Sequence, residues 1–289
     1  MDVCQTIEAF RGVLGQARRA GRTIGLVPTM GNLHAGHASL VDRAAADGHF
    51  VAVTIFVNPT QFGPAEDYAR YPRTPEADLV LCRQHGAAAA FMPSVQEMYP
   101  QDARSLTAVR VDALAAGLCG RTRPGHSQGV CTVVAKLFHI AQPDAAYFGQ
   151  KDAQQSAIIA RMIEDLNFPI RLVVCPTVRE ADGLAMSSRN RYLSPAERAQ
   201  AADLHAALKL AASAIAAGQT APAEVIEAMR AHLARRAPLG RVEYIEIVNP
   251  RSLQVVQVID GPVLVALAVR FGGARLIDNM QVDPAANGA

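Results

Sequence analysis

Between residues 23 and 175, short apolar runs rich in β-branched residues alternate with stretches of helical period. That alternation restricts the fold more than any other feature of the chain. Residues 23–28, 50–58, 87–92, 145–148 and 170–175 read as strands, and 50–58 is near-continuously apolar, as in a strand buried on both faces. Residues 36–46, 76–84, 129–141 and 152–166 read as helices; in the last, Ile158, Ile159, Met162, Ile163 and Leu166 share one apolar face. Strands that alternate with helices predict α/β architecture: a Rossmann-like parallel sheet with helices on both faces. The pattern then changes. Ser194, Pro195 and Glu197 suit the N-cap, first and third positions of an Ala-rich helix to about residue 217. A second helix over 221–236 and strands at 242–248 and 263–269 follow, predicting a smaller C-terminal α+β domain. The expected division is 1–176 and 177–289, with 283–289 a frayed tail.

Composition narrows the function classes. Lys plus Arg number 28 against 26 Asp plus Glu, so net charge gives no whole-protein argument for nucleic acid or a membrane surface. Five cysteines stand at 4, 82, 119, 131 and 175 with no CxxC pair, as expected of free thiols, mostly buried, in a reducing compartment. The first fourteen residues carry acids early and lack the apolar stretch of a signal peptide. No apolar run approaches the ~18–20 residues that span a bilayer. A cytoplasmic protein is expected, with no nucleic-acid or membrane partner.

The strongest local feature is Met30, Gly31, Asn32, Leu33, His34, Ala35, Gly36 and His37, where the first strand hands over to the first helix. Ligands of open α/β sheets bind beyond the carboxyl ends of the strands, and a helix N-terminus offers N–H groups to phosphate. On the residues alone, His34 and His37 are either donors to phosphate oxygens or ordinary turn histidines. A zinc helix would need HExxH, and no Glu is present; no protein metal site is expected. The dinucleotide fingerprint and the GxxxxGK[ST] phosphate loop are also missing. Two further stretches suit a polyphosphate. Met186, Ser187, Ser188 and Arg189 supply hydroxyls and a guanidinium fork, and Gly149, Gln150, Lys151 and Asp152 sit where a strand opens a helix. Each reads equally as an ordinary surface segment in isolation.

The HxGH form resembles the nucleotidyltransferase superfamily shared with class I aminoacyl-tRNA synthetases, and the Met-Ser-Ser-Arg stretch resembles the KMSKS-type loop of the same proteins. The strings VPTMGNLHAGH, IFVNPTQFG, YPRTPEADL, RPGH, FGQKDAQQ, PTVREADGLAMSSRN and RYLS, in that order between Ile24 and Ser194, narrow the resemblance to the pantothenate synthetases. The downstream region is compatible and much less diagnostic.

That resemblance implies ATP-dependent joining of pantoate to β-alanine through a pantoyl adenylate, with Mg²⁺, in a homodimer. It implies ATP against residues 30–37, Gly149, Gln150, Lys151, Asp152, Val178, Met186, Ser187, Ser188 and Arg189. It makes His37 the proton donor, with His34, Lys151, Ser188 and Arg189 assisting. Gln61 would contact both pantoate and β-alanine, and Gln155 pantoate. The second domain would act as a lid carrying the serine–arginine loop. Two departures stand out: Gln150 where many members have Glu, and Ser127 where the usual motif is GHF. Rival expectations are an enzyme that leaves AMP on a phosphorylated acceptor and a catalytically silent nucleotide-binding module. A tRNA synthetase is disfavoured, since no basic extension for tRNA is evident.

Overall fold

Sequence period and burial agree along the first half of the chain. The computed structural model describes residues 1–64, 68–101 and 107–287. Its elements run β1 (Asp2–Cys4), α1 (Ile7–Arg19), β2 (Ile24–Thr29), α2 (Ala35–Ala46), β3 (Phe50–Ile55), α3 (Pro75–Gln84), β4 (Ala89–Phe91), α4 (Val95–Met98), α5 (Asp112–Ala115), α6 (Cys119–Thr122), α7 (His126–Ala141), β5 (Ala145–Gly149), α8 (Ala153–Asp165) and β6 (Arg171–Cys175). The six strands form one parallel sheet in the order β1-β4-β3-β2-β5-β6.

Strand pleating assigns the helices to faces. Val27, Val51 and Val53 pack with Leu40, Val41 and Ala44 of α2 and Cys82 of α3. Phe91, on the opposite parity, stacks on Phe10 of α1 with ring centroids 4.7 Å apart. Phe10 and Leu14 are fully buried, each worth about 1.5–3 kcal/mol of transfer free energy. β1 and α1 were not expected, although Phe10, Leu14 and Ala17 recur at helical spacing on one buried face of α1. Residues 56–58, read as the end of a strand, leave β3 and lead into a 3-10 turn, Pro59–Gln61. Leu166 lies past the end of α8 and is 51% exposed, so it does not join the apolar face expected of it.

The remaining elements are α9 (Pro195–Ala201), α10 (Asp203–Ala216), α11 (Pro222–Arg236) and an antiparallel sheet of β7 (Gly240–Val248), β8 (Val263–Phe271) and β9 (Ala274–Val282) in that order. Ser194 and Glu197 form the expected reciprocal capping box. The single helix expected over 194–217 breaks at Ala202: α9 packs on β7, whereas α10 packs on α11, β8 and β9. A 3-10 turn, Pro284–Asn287, occupies part of the segment read as a tail, whose last two residues, 288–289, lie outside the described residues.

The chain divides into two compact units. One comprises Met1–Asp112, Thr122–Gln150 and Ile158–Pro176, and the other Ala113–Arg121, Lys151–Ala157 and Thr177–Ala289. Cys4, Cys82, Cys131 and Cys175 are buried free thiols; burial pushes Cys82 and Cys131 up to about 11. Among the described residues no helix is long and apolar enough to cross a membrane.

One polar cluster of the first unit gives a pH prediction. Asp47 caps α2, accepts the Tyr147 hydroxyl at 2.7 Å and pairs with Arg43 at 3.0 Å and Arg171 at 3.3 Å. The Tyr147 hydrogen bond, then Arg43, hold its carboxyl below the ordinary value. Its stabilising contribution is therefore present above the unfolded carboxylate range, roughly pH 4, and is lost as pH falls through the lower folded value. Asp47→Asn should lower the thermal midpoint at pH 7 and converge with the unsubstituted protein in acid. A constant difference across that range would contradict the assignment.

Candidate active site

β2 has β3 on one side and β5 on the other, and the chain reverses its direction of sheet growth between β2 and β5. Such a switch point leaves a crevice at the carboxyl ends of the strands. The expected histidine turn leaves the end of β2 there, and Gly149 ends β5.

Gly31 and Asn32 both adopt positive φ, +83° and +50°, which turns the chain sharply toward α2. Asp78 of α3, 2% exposed, receives the N–H of Asn32 at 3.0 Å, the N–H of Leu33 at 2.8 Å and the Thr74 hydroxyl at 3.0 Å. Two backbone donors that the sequence offers to phosphate are thus committed to Asp78. The start of α2 uses two more: the Gly36 N–H donates to His34 Nδ1 at 3.1 Å, and the His34 N–H donates to His37 Nδ1 at 3.3 Å. This is a reciprocal capping box built from two imidazoles.

The cap decides the tautomers. A ring nitrogen that accepts from an amide carries no proton, so each neutral ring bears its hydrogen on Nε2. The rings lie 4.2 Å apart at a 48° tilt. Each neutral ring therefore carries one Nε2–H donor, whose direction is set by the bond its Nδ1 accepts from the backbone.

Gln61 is comparably oriented. Buried Asn58 donates from Nδ2 to Gln61 Oε1 and to the Gly129 carbonyl, each at 3.1 Å, and its own oxygen accepts the Tyr99 hydroxyl at 2.9 Å. With its oxygen engaged, the Gln61 amide points its Nε2 hydrogens toward Met30 Sδ, 3.0 Å away. Gly129 is required here, because a methyl group would collide with the Thr60 carbonyl. His126 Nδ1 donates to the Gln61 carbonyl at 2.8 Å, and Arg123 donates to its Nε2 at 2.9 Å. His126 thus supports the Gln61 backbone despite Ser127 next to it.

In the second unit, Lys151 Nζ lies 3.6 Å from Asp152 Oδ2. The buried Gln154 amide donates to the Leu114 and Gly117 carbonyls, both at 2.9 Å, and accepts the Cys119 N–H at 3.0 Å; its neighbour Gln155 is half-buried. Residues 178–186 form a narrow hairpin. The Met186 N–H donates to the Val178 carbonyl at 3.0 Å, and Arg179 pairs with Ala185. Ser187 caps the 3-10 turn Ser188–Tyr192 by accepting the Arg189 N–H at 3.3 Å, which leaves its hydroxyl proton able to donate. Asn190 ties that turn to Glu180 and to the Ala185 carbonyl.

Sequence reasoning did not single out Asn58, Asp78, Tyr99 or His126. Asn58, Asp78 and His126 stand within diagnostic strings, which was the available signal; Tyr99 had none.

Residues 2–281 match the sequence family described as pantoate-beta-alanine ligase. The chain is 52% identical over 283 residues to the pantothenate synthetase of Moorella thermoacetica, covering 98% of this chain and 99% of that one. The crystal structure of pantothenate synthetase from Thermus thermophilus superposes with a TM-score of 0.92 at 45% identity, covering 98% of this chain and all of that one. A pantoate-beta-alanine ligase from Francisella tularensis, complexed with beta-gamma ATP and beta-alanine, gives 0.80 at 31% identity over 97% of each chain. An α/β sheet with its switch point at a paired-histidine turn, matched in sequence and in fold over nearly its whole length, leaves one conclusion: the chain belongs to the pantoate-beta-alanine ligase family.

Proposed function

We propose that this chain condenses pantoate with β-alanine, using ATP, to give pantothenate, AMP and diphosphate. The observation that carries the reading is the imidazole pair at the end of β2, both Nδ1 atoms spent on the helix cap, in a chain of this family. Pantoate's carboxylate attacks the α-phosphorus in line, the bond to the bridging oxygen breaks, and diphosphate leaves. The neutral amine of β-alanine then attacks the acyl carbon of the adenylate and releases AMP.

In the first step negative charge builds on the bridging oxygen and the departing phosphates. His37 and His34 stabilise it with their Nε2–H groups, and Lys151, Ser188 and Arg189 with an ammonium, a hydroxyl and a guanidinium. The remaining residues assigned to ATP are Met30–Leu33, Ala35 and Gly36 of the turn, Gly149, Gln150 and Asp152, Val178, and Met186 and Ser187. In the second step the protein positions the amine and keeps water from the adenylate. The 177–289 segment, carrying the serine–arginine loop, acts as the lid.

Among the described residues no three His, Cys, Asp or Glu side chains are grouped to hold a metal. Mg²⁺, which the family resemblance implies, binds readily through substrate phosphates and retained waters. No residue of this chain is assigned to it, and the roles above do not run through it. Homodimer assembly and a cytoplasmic location come from the family resemblance and the buried free thiols; sedimentation of the purified chain checks the first.

Exchange of labelled diphosphate into ATP tests the reading. Exchange should require pantoate, and free AMP should accumulate only after β-alanine is added. Exchange without pantoate, or none with it, would reject the adenylate route.

Gln61 and Gln155 are neutral groups that can both donate and accept. They hold pantoate without a salt bridge to its carboxylate, which leaves that carboxylate nucleophilic. Gln155→Arg should therefore slow adenylate formation in single-turnover experiments even where pantoate binding is retained. An undiminished rate would show that pairing the carboxylate does not matter.

A further inference from the structure

Strand β9 carries two polar residues in a buried position, Asp278 (2% exposed) and Asn279 (5%), side by side in register with Leu267 and Ala266 of β8. Buried polar groups in a strand are retained when they hold something. Each of these holds a different loop of its unit. Asp278 is gripped by Arg179, Nη1 to Oδ2 at 2.6 Å and Nη2 to Oδ1 at 3.0 Å, and the same Nη1 donates to the Gly183 carbonyl at 3.1 Å. Arg179 is thereby fixed to β9 and to the turn of its own hairpin, whose second arm runs directly into Met186, Ser187, Ser188 and Arg189. The side chain of Asn279 donates from Nδ2 to the Lys151 carbonyl at 2.9 Å, while its N–H donates to Asp278 Oδ1 at 2.8 Å.

Successive strand residues project to opposite faces, so one dipeptide anchors two segments at once. The two segments are those assigned to the triphosphate in the second unit. We infer that Asn279 is a positioning residue for the first half-reaction: it sets the backbone from which Lys151 reaches the phosphates, on the same stretch of strand that fixes the serine–arginine loop through Asp278 and Arg179. The inference rests on the adenylate-forming reading above.

Asp278 is a poor probe, because removing one partner of a buried, bidentate ion pair threatens folding itself. Asn279→Ala removes the hydrogen bond to the Lys151 carbonyl without breaking an ion pair. Pantoate-dependent diphosphate exchange should fall roughly tenfold at saturating ATP, the scale of one lost hydrogen bond, with a smaller change in the apparent KM for pantoate. Gln281→Ala, an exposed site on the same strand, should leave the rate unchanged. The decisive comparison repeats Asn279→Ala in a Lys151→Ala background. A residue acting through Lys151 has little left to disturb there, so the further loss should stay within about twofold. The same fold-loss in both backgrounds, or no loss in the unsubstituted one, overturns the inference while pantoate-dependent exchange by the unsubstituted protein keeps the functional reading intact. Absence of that exchange overturns both. Should the alanine variant fail to fold, Asn279→Asp, of equal size but without the donating amide, carries the same comparison.

Discussion

His37→Asn is expected to lower turnover roughly 10²–10³-fold, the usual effect of removing one preorganised donor, while leaving the fold and the start of α2 intact. The two nitrogens of this ring have separable tasks. Nδ1 accepts the His34 N–H and closes the cap; Nε2 carries the ring hydrogen, the donor proposed for the reaction. An asparagine places its amide oxygen near the Nδ1 position and nothing near Nε2, so it keeps the cap and loses the donor. A glutamine places its amide nitrogen near the Nε2 position, so His37→Gln should recover part of the lost rate while weakening the cap by about 0.5–2 kcal/mol. His37→Ala should show both losses together. The pair separates a catalytic from a structural role, which alanine alone cannot do. Diphosphate release with saturating pantoate, set beside thermal midpoints, reads the two effects independently. A loss under about tenfold in a fully folded His37→Asn protein would remove the ring from the proposed chemistry.

The cap also explains what could be read from the sequence and what could not. The turn between residues 30 and 37 was legible because its position, after an apolar strand and before a helical period, is a local pattern. Which nitrogen of each ring is protonated was not legible, since that depends on hydrogen bonds whose distances only folding sets. The same holds for the N–H groups of the turn. Sequence suggests that they await a phosphate, but the Asn32 and Leu33 donors are taken by Asp78, 46 and 45 positions away. The parallel sheet was readable in five of its six strands. β1 escaped because three residues at an edge carry almost no periodic signal.

β9 escaped for the opposite reason. Its sequence is interrupted by Asp278 and Asn279, which argues against a buried strand until Arg179 and the Lys151 carbonyl are known to meet them. In β9 the disagreement between local pattern and tertiary requirement falls on the residues proposed to anchor the candidate site. The single helix expected from residue 194 is a milder case: propensity favours continuation through Ala202, and the separate packing partners of α9 and α10 override it.

Asp78 carries the second large prediction. Its carboxylate is buried, accepts three hydrogen bonds and has no ion pair among the described residues, so its two backbone donors depend on it entirely for compensation. Asp78→Ala would leave the N–H groups of Asn32 and Leu33 without an acceptor beside a new void. At about 1–3 kcal/mol for each unsatisfied group, the loss should reach roughly 3–5 kcal/mol, a large part of the ~5–15 kcal/mol that keeps a domain folded. Asp78→Asn is the more informative change. Its oxygen can still accept one N–H, but its NH₂ then faces the other, and two donors repel. The turn must shift to part them, and Gly31, where an added Cβ would already sit 3.0 Å from Asp78 Oδ2, leaves it little room on that side. Because the turn carries His34 and His37 at its far end, the asparagine variant should lose turnover by a larger factor than its change in unfolding free energy would suggest. Urea unfolding and diphosphate exchange measured on the same preparation decide this. If Asp78→Asn unfolds at a lower urea concentration yet exchanges diphosphate at the unsubstituted rate, the carboxylate stabilises the fold without aiming the histidines.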